Sequence, residues 1–108
     1  MEFEEVKLAR ALLTFAKQLW SIEKSLSKLQ TLIDESEKQA KKLELEIPRS
    51  REPKTAALEK DLSALEHTLA VLRERHYELY KKKLHALREI EVTVMKLKYT
   101  IYHKLYKR

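Results

Sequence analysis

Residues 46–55 read EIPRSREPKT, and the two prolines of that stretch are the only ones in a chain of 108 residues that contains no glycine. Pro48 removes a backbone donor and disfavours helix at Ile47, so a helix arriving from the N-terminal side must end close to Glu46. Pro53 suits the first turn of a new helix, where its missing N–H costs nothing. Thr55 offers a hydroxyl as an alternative cap for the same helix start. The segment between the prolines is the one credible loop, and what flanks it decides the fold.

Upstream, Leu8, Leu12, Phe15, Leu19, Ile22, Leu26, Leu29, Ile33, Ser36, Ala40, Leu43 and Ile47 alternate steps of four and three without a break. Over five heptads that spacing is a coiled-coil signal, since it keeps one stripe facing one partner helix. Downstream, Leu58, Leu62, Leu65, Leu69, Leu72, His76 and Leu79 form a second stripe. At Leu79/Tyr80 the register slips by one residue and continues as Leu84, Leu87, Ile90, Val94, Leu97, Ile101 and Leu105, a stutter. VTVMKLKYTIY, residues 92–102, alternates and is rich in β-branched and aromatic residues, so in isolation it could form a strand. With no hairpin partner, no turn residues and a helical stripe running into it, helix is the expectation.

The predicted fold is therefore all-α: a long antiparallel two-helix coiled-coil hairpin, one domain over 1–108. Helix one is expected over about 3–46, the turn over 47–53 and helix two over about 54–106. At 1.5 Å per residue the arms are roughly 65 and 80 Å long, so helix two is expected to overhang.

Glycine-free composition with 37% charged residues leaves little room for phosphate-cradling loops or β-bulges. No cysteine is present, so disulfides and thiolate metal sites are excluded. His67, His76 and His85 are nine residues apart, which turns successive side chains by about 180°. Together with His103 they complete no metal-ligand spacing, and no nucleophile elbow or phosphate loop occurs. A non-enzymatic protein without cofactor or metal, and with no small-molecule substrate, is the expectation. The longest apolar run is four residues, Leu69 to Leu72, far short of the ~20 that span a bilayer. The acidic start MEFEEVKLAR lacks the apolar region of a secretory signal. The expected location is cytoplasmic, with nucleus or virion as alternatives, neither secreted nor transmembrane.

A lone two-stranded hairpin needs one narrow apolar seam per helix, and both helices carry more. Val6, Leu13 and Trp20 form a further line on helix one; Val92, Met95, Tyr99, Tyr102 and Tyr106 form one on helix two. In an antiparallel hairpin both surpluses fall at the open end, away from the prolines. These residues are the expected oligomer or partner interface, through which the hairpin dimerises into a four-helix bundle or joins a helical hetero-complex.

Charge is also unevenly placed. Residues 81–108 hold nine Lys or Arg against two Glu, a balance of +7, whereas residues 1–80 hold 14 basic and 15 acidic residues. Lys81, Lys82, Lys83, Lys96, Lys98, Lys104, Lys107 and Arg108 are the candidate contacts for a polyanion, either a nucleic acid or an anionic membrane. The competing interpretation is that lysine stems shield the apolar seam. In outline, a long helical hairpin with basic flanks resembles pieces of BAR-type and ESCRT-III-type membrane-remodelling proteins. That resemblance rests on architecture and the proline-bounded turn, and it implies an anionic-membrane role as the alternative to a helical scaffold.

Overall fold

A computed structural model describes residues 3–106. It is all-α: α1 spans Glu4–Glu46, a short 3-10 turn spans Ile47–Arg49, and α2 spans Lys54–Tyr106. The segment 92–102 is helical throughout, as part of α2. No helix among the described residues is long and apolar enough to cross a membrane.

Hydroxyls organise the turn between the prolines. Ser50 donates to the Ile47 carbonyl twice, from its backbone N–H at 3.2 Å and from its hydroxyl at 2.8 Å. The Thr55 hydroxyl lies 2.7 Å from that of Ser50, across the turn. Because Ser50 spends its proton on Ile47, Thr55 is the donor in this pair. Thr55 therefore ties the loop together from within the first turn of α2. Pro53 sits just before α2, and its carbonyl accepts from Ala57 N–H at 3.4 Å.

Contacts divide the chain into two compact units: a turn unit of residues 25–78, and a terminal unit drawn from residues 1–24 and 79–108. In the turn unit the seam follows the heptads. Ile33, Ala40 and Leu69 are buried and pack with the partly buried Leu62, Leu65 and Leu72. Arg73 and Glu37 close one flank at 2.9 Å. With the seam positions lettered a and d, both residues occupy e positions, which lie on the same side of an antiparallel pair.

In the terminal unit the helices are also antiparallel, because Glu5 pairs with Lys104 while Glu23 pairs with Lys83 at 3.8 Å. The ends come level here: Lys104 also lies over the Phe3 ring, 4.7 Å from its centroid. The overhang expected from the difference in helix length is thus not seen at Lys104.

The register slip expected near Leu79 does not occur. The seam continues in the phase set by Leu72, His76 and Leu79, through Lys83, Ala86, Ile90, Thr93, Leu97 and Thr100, all buried or half-buried. Leu84, Leu87, Ile101 and Leu105, assigned above to the seam, are exposed. Holding one phase along α2 keeps it matched to the unbroken heptad of α1, and the small or polar seam residues tolerate it. Ala86 allows close approach of the two backbones. The hydroxyls of Thr93 and Thr100 donate to Glu89 and Lys96 carbonyls at 2.6 and 2.9 Å, so neither is left unsatisfied. Lys83 carries its charge out to Glu23 beside the seam, and Lys104 pairs with Glu5, which is itself at an a position.

Candidate interaction surface

Around each helix of the terminal unit, e positions lie about 50° and b positions about 100° from the a line. On α1 the e positions are Ala9, Ala16 and Glu23, and the b positions are Val6, Leu13 and Trp20. On α2 the e positions are Tyr80, Leu87, Val94 and Ile101, and the b positions are Leu84, Glu91, Lys98 and Leu105. In an antiparallel pair the e flanks of the two helices adjoin. The terminal unit consequently has a largely apolar face, floored by Ala9 and Ala16 on α1 and walled by larger side chains on both helices, with Glu23, Glu91 and Lys98 set into it. Val6, Leu13, Trp20, Leu84, Leu87, Ile101 and Leu105 on this face are all between 40% and 65% exposed.

The opposite flank of the same unit is mostly polar at its g positions, although the c positions beyond them on α2 hold Val92, Tyr99 and Tyr106. Its g positions are Glu4, Ala11 and Gln18 on α1 and Lys82, Glu89, Lys96 and His103 on α2. The turn unit lacks such an apolar face, since its e positions are Gln30, Glu37, Glu44, Glu59, Glu66 and Arg73. Its exposed large apolar residues are Leu32, Leu45, Val71 and Tyr77, while the terminal unit holds the remainder of that group. Surplus apolar surface is thus specific to one unit and, on α1, to one flank of it.

The line Val92, Met95, Tyr99, Tyr102 and Tyr106 occupies c and f positions, on the outward side of α2 and away from Val6, Leu13 and Trp20. Its aromatics pack on one another along the helix. Tyr99 meets His103 edge-on with ring centroids 4.2 Å apart, and Tyr102 meets Tyr106 at 4.9 Å. The residues that share a face with Val6, Leu13 and Trp20 are instead Leu84, Leu87, Ile101 and Leu105. They were legible as large apolar residues, but the assumed stutter turned them inward. Trp20 itself lies under the Lys24 ammonium, 4.2 Å from the ring centroid.

The basic residues do not share a side. Lys81 is on f, Lys82 and Lys96 on g, Lys98 on b, and Lys83 and Lys104 on a; Lys107 and Arg108 lie outside the described residues. Lys104 donates to Glu5, which holds the Glu5 carboxyl below its ordinary value of 4.5, with the Glu5 backbone N–H adding to the effect. Among the described residues no three His, Asp or Glu side chains gather as metal ligands. The depressions beside the turn are shallow and ringed by charged side chains, one by Gln39, Lys42, Glu46 and Asp61 over Leu43 and Leu65.

No protein-family model matches the chain, and comparison with curated proteins and with solved structures finds no significant match.

Proposed function

We propose that this protein is a non-enzymatic helical scaffold that self-associates, or joins a larger helical assembly, through its terminal unit. The observation that supports this reading is the apolar face of that unit over the adjoining e and b positions, set against the polar flanks of the turn unit. Each exposed side chain there is about half exposed, and a fully exposed one presents on the order of 200 Å². The seven large residues together offer on the order of 700 Å², close to the roughly 800 Å² that each partner contributes to a standard interface. Monomers rarely leave a contiguous apolar patch above about 300–600 Å². Stripes at a, d and e on both helices are the pattern of a four-helix bundle, in which each helix packs against two neighbours.

Light scattering and sedimentation of the pure protein at low and high salt test the reading. A dimer or higher oligomer at micromolar concentration is expected, with Leu13→Glu converting it to a helical monomer. Tyr99→Glu, on the outward side, leaves the oligomer intact. A wild-type monomer that instead co-sediments with anionic vesicles or DNA in a salt-sensitive way would falsify the scaffold reading in favour of a polyanion-binding rod.

A further inference from the structure

The apolar face repeats itself when it is read backwards. Along the b positions of α2 the order is Leu84, Glu91, Lys98, Leu105, each seven residues from the next. Reversal exchanges leucine with leucine and places the glutamate where the lysine was. Along the adjoining e positions Leu87, Val94 and Ile101 read large, small, large in either direction, with Tyr80 outside the repeat at one end. On α1 the b positions Val6, Leu13 and Trp20 centre on Leu13, and Ala9 and Ala16 flank that centre symmetrically to within a residue. The ion pairs Glu5–Lys104 and Glu23–Lys83 bracket these centres and put Leu13 level with Val94 and Met95. The centres on the two helices therefore coincide.

We infer that the occupant of this face is a second copy of the chain, related by a two-fold axis that passes beside Leu13 and Val94. This rests on the self-association reading above and adds its geometry. Each α2 runs antiparallel to the α2 of the other copy, with Val94 meeting Val94, Leu87 meeting Ile101 and Leu84 meeting Leu105. Each α1 meets the other α1 about Leu13, and Val6 packs against Trp20. Glu91 and Lys98, both exposed in one chain, become two symmetry-related ion pairs between the copies. An isologous contact requires this kind of self-complementarity, because every residue pair occurs twice. A partner of different sequence would place no such demand on the order of residues along one helix. Charge pairing also selects the register: a parallel α2–α2 contact sets Glu91 against Glu91 and Lys98 against Lys98, which repel.

Charge reversal and crosslinking test the geometry on the full chain. Glu91→Lys and Lys98→Glu each turn two attractions into two repulsions, and each is expected to raise the dimer dissociation constant at least about tenfold at low salt. The double variant Glu91→Lys/Lys98→Glu restores the pairs with their signs exchanged, and its dissociation constant is expected to return to within about threefold of wild type. Val94→Cys, in a chain with no other cysteine, is expected to give a disulfide-linked dimer on mild oxidation; Tyr99→Cys is not. Circular dichroism confirms that each exposed-site variant remains helical. An oligomer that persists while the double variant fails to rescue the singles and Val94→Cys does not crosslink overturns the two-fold arrangement and leaves self-association standing. A wild-type monomer at every concentration overturns both.

Discussion

Lys83 reaches Glu23 from inside the seam, with 3.8 Å between Nζ and Oε1, although Lys83 holds an a position, where leucine or isoleucine stands at most other turns of both helices. Its side chain is about one-third exposed. The ammonium escapes to the edge while the stem stays against apolar neighbours. Such a pair gains little, because its charges are largely solvated, whereas an apolar side chain of similar volume buries more surface.

Lys83→Leu is accordingly expected to stabilise the fold by about 1 kcal/mol. Urea denaturation followed by circular dichroism measures it, as a higher midpoint at unchanged slope. A fall in stability of similar size shows that the Glu23 pair contributes more than the seam packing lost to it.

Ala86 and Leu84 make opposite predictions two residues apart. Ala86 is buried in the seam, at 5% exposure, so Ala86→Leu forces an isobutyl group between close-packed backbones and is expected to cost about 1–3 kcal/mol. Leu84→Ala removes an exposed side chain and is expected to cost under about 1 kcal/mol in fold stability, measured below the association concentration. Were α2 turned to the phase in which Leu84 and Leu87 face α1, the two costs would exchange places. Comparison of the two denaturation midpoints decides between the phases.

Glu5 and Lys104 couple the fold to pH. The Glu5 carboxyl lies below its ordinary value of 4.5 in the fold, chiefly through the hydrogen bond from Lys104. Just below that ordinary value the unfolded chain therefore binds more protons at this site than the folded one, and stability rises with pH across the window. The contribution is complete above the ordinary carboxylate range and is lost as pH falls through the lowered value. Glu5→Gln is expected to be less stable than wild type at neutral pH, with the difference closing as pH drops below about 4. Equal gaps at both ends of the titration rule out the Lys104 pair as the origin.

Most of the seam could be read directly from residue spacing. Every position in the α1 run from Leu8 to Ile47 is buried or half-buried, and so is the α2 run from Leu58 to Leu79. Those residues are mostly large and apolar, so periodicity alone places them. Beyond Leu79 the seam passes through Lys83, Ala86, Thr93 and Thr100, whose hydropathy is weak or negative. A row of larger residues, Leu84, Leu87, Val94 and Ile101, lies one position out of phase beside it. Picking the largest apolar residue in each turn then jumps rows and mimics a stutter. What separates the alternatives is phase continuity with the partner helix, a property of two helices together. Likewise Tyr99, Tyr102 and Tyr106 are conspicuous in sequence, yet their c and f positions turn them away from the face that holds Leu13 and Trp20.

Trp20 is the only tryptophan in the chain, and it stands 62% exposed on the apolar face with its ring beneath Lys24. Its indole emission is therefore a label-free gauge of what covers that face. In a dilute solution of single chains the ring sits largely in water, and its fluorescence falls at long wavelength. Any occupant that closes over Leu13 must displace that water, and the spectrum then moves to the blue in proportion to the fraction of chains covered. Dilution series, candidate binders and interface variants can all be ranked on that one optical scale, with no chemical modification of the protein.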